Sequence, residues 1–314
     1  MKQKIHFFLA AFLFFAVTFT ACKKSTSEVD YAAELQAHSD DQSRFTNESD
    51  ALANDDNTVL DNYAAFNGRA DNSANIMALP CDASVIVDSL SNPKKITITY
   101  NGTTCPNETR TRLGTAVLTL PLNSRWKDAG AVLTENIQNL KITRLSDNKS
   151  ITINGTRTIT NISGGRIRDL VLGTASSITH NIGSSNMSLT FDDGSQRTWQ
   201  VAKKRAFTYA NSNLVITTTG TGVDGTITGV SEWGNNRYGN AFATAITQPL
   251  VVRGDCFFRL TSGQVTHNKM VATSVVTFGL DANGNATGCP TGNYYLKLVW
   301  TGINGVVRTV IAPY

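Results

Sequence analysis

Residues 151–162, ITINGTRTITNI, alternate apolar or β-branched side chains with polar ones on both sides of Asn154-Gly155. Two-residue alternation is typical of a strand with one buried face. An Asn-Gly dipeptide supplies the positive φ angles of a tight hairpin turn. The segment therefore predicts two antiparallel strands that are joined at Asn154-Gly155.

The same alternation recurs through residues 76–314, where no window keeps a helical period. Roughly twelve to sixteen strands joined by hairpins predict an all-β body of antiparallel sheets, either stacked as a β-sandwich or curled. A single core and two cores divided near residue 184 both fit the pattern. Further turn dipeptides stand at 101–102, 193–194, 224–225, 283–284 and 304–305.

The composition excludes two classes of protein. The chain has 314 residues, of which 41% are hydrophobic and 17% are charged, with five cysteines. It is too apolar for a disordered chain and too poor in cysteine for a small disulfide scaffold. A packed globular body is expected.

The charges are divided unevenly along the chain. Residues 22–75 carry eleven acids and four bases, for a net charge of −7, whereas residues 76–314 carry 22 bases and 13 acids, for a net charge of +9. The acidic segment also predicts a helix, because residues spaced four and three apart share one helix face. These residues are Tyr31, Leu35, His38, Gln42, Phe45, Ser49, Leu52, Asp56, Val59, Tyr63 and Phe66.

Asn67-Gly68 predicts the C-terminal cap of this acidic helix. The polar run at 55–57 leaves open whether the segment is one helix or two. An acidic helix beside a basic body either packs on that body or forms a solvated stalk, and the charges alone favour neither arrangement.

Residues 1–21 combine a basic start with the apolar run FFLAAFLFFAV, which is too short to span a bilayer and is typical of a signal peptide. Cys22 follows the small residues Thr20 and Ala21 and resembles the acylated cysteine of a bacterial lipobox, although Phe19 stands where leucine is usual. Acyl chains on Cys22 would hold the protein in a membrane. By resemblance to other lipoproteins, the lack of Asp after this cysteine favours the outer membrane, with either face open.

The other four cysteines are even in number, and a secreted protein lies in an oxidising compartment. The simplest pairing joins neighbours along the chain. A tetrathiolate zinc site is the alternative, but no short C-x-x-C spacing supports it. The predicted disulfides are Cys81–Cys105 and Cys256–Cys289.

The sequence favours a non-enzymatic protein. It contains no nucleotide-binding, serine-hydrolase or zinc-protease motif, and no cofactor is predicted. The histidines His38, His180 and His267 are expected at isolated surface positions. Glu232, beside Trp233, is the candidate for a glycan-active enzyme, which needs a second carboxylate within about 10 Å.

Two stretches, RTWQVAKKRAFTY and SEWGNNRYGN, combine basic and aromatic side chains. Such a surface suits an anionic polysaccharide, and an outer-membrane location favours this ligand over nucleic acid. A solvated strand and a closing turn are the alternative interpretations. The candidate ligand-binding residues are Trp199, Lys203, Arg205, Trp233, Arg237 and Tyr238.

The order of these features resembles a family of uncharacterised lipoproteins of Bacteroidota. The family has no established activity, so the resemblance implies a location and an architecture only. This chain departs from the family pattern at Pro290, where relatives have Asp after the last cysteine. The stretches that carry the resemblance are CKK, DDQSRFTNESDALANDD, CDASVIV, NGTTCPNETRTRLGTA, GVDGTITGVSEWGNNRYGNAFATAIT, CFFRLTSGQV and GNATGC.

Three functions are compatible with the sequence. The first is a non-enzymatic envelope lipoprotein that is structural or binds a glycan or a protein partner. The second is a lipid or lipoprotein carrier, which needs a continuous apolar concavity beneath the helix. The third is a glycan-active enzyme.

Overall fold

A computed structural model describes residues 26–68, 79–106, 108–184, 186–289, 292–302 and 305–314. The long helix α1 (Thr26–Asn62) is followed by a 3-10 turn (Ala64–Phe66), and a second, short helix α2 spans Ile167–Val171. Helix α1 continues through 55–57, so the acidic segment is one helix rather than two.

The rest of the described chain contains sixteen strands, joined by turns and loops. They are β1 (Ala83–Asp88), β2 (Lys94–Asn101), β3 (Arg110–Leu120), β4 (Ala131–Arg144), β5 (Ser150–Asn161), β6 (Ile178–Ser184), β7 (Ser188–Phe191), β8 (Gln196–Ala210), β9 (Asn213–Gly220), β10 (Gly222–Asp224), β11 (Ile227–Asn235), β12 (Ala241–Arg253), β13 (Arg259–Asn268), β14 (Ser274–Leu280), β15 (Tyr295–Thr301) and β16 (Val307–Pro313).

All the strands belong to one antiparallel sheet. Its main order is β1-β2-β3-β4-β5-β6-β8-β11-β12-β13-β14-β15-β16, and the short strands β7, β9 and β10 pair beside this path. Strand β6 pairs with β5 on one side and with β8 on the other, so the sheet passes residue 184 without a break. The predicted all-β antiparallel fold is confirmed, in its curled form.

The hairpin predicted at Asn154-Gly155 is wrong. Residues 151–161 form a single strand, β5, which pairs along its length with β4. Gly155 has a φ of 123°, and a Cβ at this position would lie 2.6 Å from the main-chain oxygen of Asn186. The glycine is therefore needed for a close approach of two backbones and not for a turn.

The sheet curls around α1. Tyr100 on β2 donates a hydrogen bond to Asp55 of the helix (2.8 Å), and the His267 ring on β13 lies 4.6 Å from the His38 ring of the helix. Strands β2 and β13 are far apart in the sheet, so both reach one helix only because the sheet bends around it. Register shifts in β3–β4, β4–β5 and β12–β13 add local twist that supports this curl.

Helix α1 is enclosed in the concave side of the sheet. Every residue from 37 to 64 is buried or partly buried. Phe45, Leu52 and Val59 pack in an apolar cluster with β2 to β5 and β8, whereas Leu35 packs in a second cluster with β9 and β12 to β15. The helix thus contributes to both apolar clusters that the described residues form.

Candidate functional site

The acidic side chains of α1 meet arginines on the inner face of the sheet and its turns. A buried charge is tolerated when it is paired, so these contacts explain how a polar helix is enclosed. The acidic segment therefore packs on the body and is not a solvated stalk. The six pairs are Asp40–Arg144 (2.7 Å), Asp41–Arg237 (2.7 Å), Glu48–Arg110 (2.8 Å), Asp50–Arg205 (3.8 Å), Asp55–Arg112 (2.7 Å) and Asp56–Arg157 (3.4 Å).

Three of the predicted ligand-binding residues lie inside the protein. Trp199, Lys203 and Arg205 are each at most 1% exposed. They stand at alternate positions of β8, which places them on the inner face of the sheet. Arg205 donates to Asn54 of α1 at 3.0 Å. The prediction that these side chains form a glycan-binding surface is wrong, because the helix covers them.

Glu232 is also an interior group. Its carboxylate accepts hydrogen bonds from Thr46 of α1 (2.5 Å) and from the Trp199 indole (2.9 Å), and lies 2.6 Å from the Lys203 ammonium. Glu232 is fully buried and does not line the cleft described below. Its contacts are structural, with an ion pair between β8 and β11 and a hydrogen bond from the helix.

The three other predicted ligand-binding residues do not form one platform. Trp233 is partly buried, Tyr238 is exposed, and Arg237 is held between Asp41 (2.7 Å) and Asp192 (3.1 Å). The hydrogen bonds that Arg237 donates to Asp41 raise the pKa of Arg237 above its usual value. Arg237 fastens the helix to the β11–β12 turn instead of facing a ligand.

The histidines are buried, contrary to the surface positions expected for them. His38, His180 and His267 are at most 2% exposed. His38 packs against the Phe242 ring at 4.5 Å, and the Thr244 hydroxyl lies 2.9 Å from Nδ1 of His267. Burial lowers the pKa of His180 and of His267 to about 3, so both rings are neutral at pH 7.

The two predicted disulfides are confirmed. Cys81 pairs with Cys105 and Cys256 pairs with Cys289, with Cα–Cα distances of 5.8 and 5.1 Å. Each pair has a neighbouring carboxylate, Asp82 or Asp255. Because all four sulfurs are joined in disulfides, they do not form the tetrathiolate zinc site that was the alternative.

A cleft of about 290 Å³ opens beside α1. Its floor is the 43–55 stretch of the helix. One wall is formed by the start of β3 and the end of β4, and the other by the β12–β13 turn and Tyr314. The lining has five arginines against three carboxylates. These charged residues are Arg44, Arg110, Arg112, Arg144, Arg259, Glu48, Asp55 and Glu108.

Arg44 is only partly compensated in the cleft. Its Nη2 donates to the main-chain oxygen of Lys149 at 3.0 Å, and its Nη1 has no hydrogen-bond partner among the described residues. Burial and the neighbouring Arg144 cation lower the pKa of Arg44. A bound anion would offset both effects.

The opposite wall combines a cation with exposed aromatic rings. Arg259 donates to the main-chain oxygen of Tyr314 at 3.2 Å and lies over the Tyr294 ring. Phe257 and Phe258 are 78% and 45% exposed, and both have left-handed φ angles, 57° and 55°. Bulky residues rarely adopt this conformation, which persists only where the surroundings impose it.

The sequence analysis missed this cleft. Its cations come from α1 and from β3, β4 and β13, which are far apart in the chain. One local signal was present, the run CFFRL at 256–260, where two large aromatic residues stand between a disulfide cysteine and an arginine.

The comparisons with known proteins found no matching family model, curated protein or solved structure. The resemblance to lipoproteins of Bacteroidota therefore stays a prediction. Cys22 and residues 1–21 lie outside the described residues. Among the helices that are described, none is both long enough and apolar enough to cross a membrane.

Proposed function

We propose that this chain is a non-enzymatic, lipid-anchored binding protein of the bacterial outer membrane, and that its cleft binds an acidic glycan. The observation that carries the proposal is the arrangement of Arg44 and Arg259, whose guanidinium groups donate to main-chain oxygens, next to the exposed Phe257 and Phe258.

The charges of the cleft favour a carboxylate or a phosphate group. Arg110, Arg112 and Arg144 are each paired with carboxylates, and these pairs hold them in place. Arg259 forms no ion pair among the described residues, so its guanidinium group is left for a ligand, and Nη1 of Arg44 lacks a hydrogen-bond partner but is buried. Guanidinium groups bind carboxylates and phosphates through two parallel hydrogen bonds, which gives both strength and orientation.

The aromatic pair favours a sugar as the carrier of that acidic group. Large exposed aromatic side chains at a cleft are typical of binding sites. A flat ring offers an apolar face to the C–H groups of a pyranose, while the arginines take its charged group. The volume of about 290 Å³ is close to the lower limit for small-molecule sites and suits one or two sugar units.

The contacts of the glutamates support binding rather than hydrolysis. Glu232 and Glu135 are fully buried in ion pairs with Lys203 and Arg157, away from the cleft. The carboxylates that line the cleft are each paired with Arg110 or Arg112; they are Glu48, Asp55 and Glu108. A lipid carrier is less well supported, because arginines and carboxylates line the cleft where a carrier needs apolar side chains.

The anchor is supported by the sequence of residues 1–22. We expect wild-type protein to incorporate labelled palmitate and to stay in the membrane fraction, and Cys22→Ala to lose both properties. Unchanged membrane retention of Cys22→Ala would contradict the anchor without bearing on the cleft.

Glycan binding can be tested by affinity electrophoresis in gels that contain polygalacturonate or neutral dextran. Wild-type protein should be retarded by polygalacturonate alone. Loss of a charge-assisted contact costs about 1.5–3 kcal/mol, so Arg259→Gln should weaken binding by roughly 10- to 100-fold, and Phe257→Ala should weaken it as well.

Two exposed residues outside the cleft give matched controls. Arg253→Gln removes a nearby arginine that does not line the cleft, and Tyr238→Ala removes an exposed ring from another turn. Both should migrate like the wild type. Equal loss of retardation in Arg253→Gln and Arg259→Gln would show non-specific attraction to a basic protein.

A further inference from the structure

We propose that one end of the sheet, formed by the β4–β5, β11–β12, β13–β14 and β15–β16 turns, lies directly against the bilayer that holds the acyl chains. This inference rests on the proposed acylation of Cys22. It goes further by assigning a membrane-facing surface.

The first step is the length of the tether. Helix α1 begins at Thr26, so only three residues separate it from Cys22. Four residue steps span at most about 14 Å when fully extended. Glu34 already contacts the β11–β12 turn, so helix residues 26–33 add at most about 12 Å. The body must therefore stay close to the membrane surface.

The second step identifies the end of the body at which the helix begins. Glu34 accepts hydrogen bonds from Asn236 (2.6 Å) and Asn240 (2.8 Å) of the β11–β12 turn. Six residues later, Asp40 pairs with Arg144 at the end of β4. The start of the helix thus lies at the end of the sheet that carries these two turns.

The third step identifies the other turns that lie at this end of the sheet. Strands β11 to β16 are consecutive antiparallel neighbours, so their alternate turns share one end. The β13–β14 and β15–β16 turns therefore lie beside the β11–β12 turn. Exposed apolar side chains occur on all of these turns. They are Leu145, Tyr238, Val271, Val306 and Val307.

Exposed apolar side chains occur at both ends of the sheet, so they do not by themselves identify the membrane-facing end. Ile162 and Leu172, near the opposite end, are also exposed, at 46% and 56%. The short segment between Cys22 and α1 identifies the membrane-facing end, because the enclosed length of the helix separates the opposite end from Cys22. A helix rises about 1.5 Å per residue, so the 28 residues from 37 to 64 alone span about 40 Å.

The surface can be tested with full-length, lipidated protein in vesicles of phosphatidylethanolamine and phosphatidylglycerol. Single cysteines introduced as Tyr238→Cys, Val306→Cys and Leu172→Cys would carry an environment-sensitive fluorophore. Lipids with a spin label near the headgroup should quench Tyr238→Cys and Val306→Cys several-fold more strongly than Leu172→Cys. Equal quenching at all three positions, or stronger quenching at Leu172→Cys, would overturn the proposal.

A longer tether provides the matched control. A flexible insert of twelve Gly and Ser residues between Ser25 and Thr26 adds a mean reach of about 19 Å. It should leave the protein on the vesicles and reduce quenching at Tyr238→Cys. Quenching that the insert does not change would contradict a surface set by the tether.

Flotation of the vesicles separates the two proposals. If the wild-type protein floats but its turns are not quenched, the anchor stands and the membrane-facing surface is wrong. If the wild-type protein does not float, the acylation of Cys22 is wrong and the proposed surface falls with it.

Discussion

Arg237 on the β11–β12 turn binds Asp41 of α1 through two hydrogen bonds, Nε to Oδ2 at 2.8 Å and Nη2 to Oδ1 at 2.7 Å. The Asp41 side chain is fully buried and that of Arg237 is 13% exposed. This bidentate pair is one of six that fasten the acidic helix to the sheet. Many charged groups of this protein are thus part of its interior, and this arrangement is the basis of the predictions that follow.

Breaking the Asp41–Arg237 pair should destabilise the protein strongly. Asp41→Asn or Arg237→Gln leaves a buried partner without compensation, which costs about 3 kcal/mol. The double variant should lose less than the sum of the single losses, with a coupling energy of about 1–3 kcal/mol. Urea unfolding of the four proteins measures this coupling. The exposed Arg253–Asp255 pair is the control and should show no measurable coupling; additive losses at Asp41 and Arg237 would contradict the pairing.

Stability should fall in acid because of the buried histidines. The pKa of His267 is about 3 in the folded protein and about 6.5 when unfolded, so the unfolded chain binds the proton more readily. The contribution of this ring is complete above pH 6.5 and is lost by up to about 1.4 kcal/mol per pH unit below it. His267→Gln should therefore show a flatter decline of unfolding free energy between pH 6.5 and 4. An unchanged slope would mean that His267 is accessible to protons.

Asp61 should lower the stability of the protein as the pH rises, which is the opposite of the effect of His267. Burial raises its pKa to about 6, while its carboxylate accepts a hydrogen bond from the main-chain N–H of Arg168 at 3.0 Å. The folded state holds the Asp61 proton more tightly than the unfolded state, so stability is lost as pH rises from about 4 through 6. Asp61→Asn should gain up to about 3 kcal/mol relative to the wild type between pH 4 and pH 7.5. A relative stability that stays constant with pH would contradict a buried Asp61.

The Cys256–Cys289 disulfide, next to Phe257 and Phe258, should contribute to binding as well as to stability. Replacing both Cys256 and Cys289 by Ser opens a 33-residue loop, which costs roughly 3–4 kcal/mol. It should also release Phe257 and Phe258 and weaken retardation by polygalacturonate. Replacing Cys81 and Cys105 is the matched control, because it should lower stability with binding retained. Loss of binding in both variants, under conditions where both are folded, would show that the β12–β13 turn has no specific role in binding.

The all-β body could be predicted from sequence because alternation reports directly on strands with one buried face. The turn at Asn154-Gly155 could not, since a glycine needed for backbone contact with Asn186 looks the same in sequence as a glycine in a hairpin. The inward position of Lys203 and Arg205 was missed for a related reason. Alternation shows that they share a face, but the inner face accepts these cations only because Glu232 of β11 and Asp50 of α1 pair with them.

The cleft was beyond prediction from sequence because its walls meet only after the sheet has curled around the helix. Arg44 and Arg259 are more than 200 residues apart in the chain and lie on different elements. The pairing of cysteines, in contrast, followed from their spacing and the expected compartment, because neighbouring cysteines close the shortest loops.

The most direct test of the proposed binding site is hydrogen–deuterium exchange of the intact protein with and without polygalacturonate. We predict slower exchange at 254–260, in the β12–β13 turn, and at 142–149, which includes the main-chain groups beside Arg44. Exchange at 236–240 should not change. Protection confined to regions outside the cleft, or no protection at a polygalacturonate concentration that retards the protein in gels, would contradict the cleft as the glycan site.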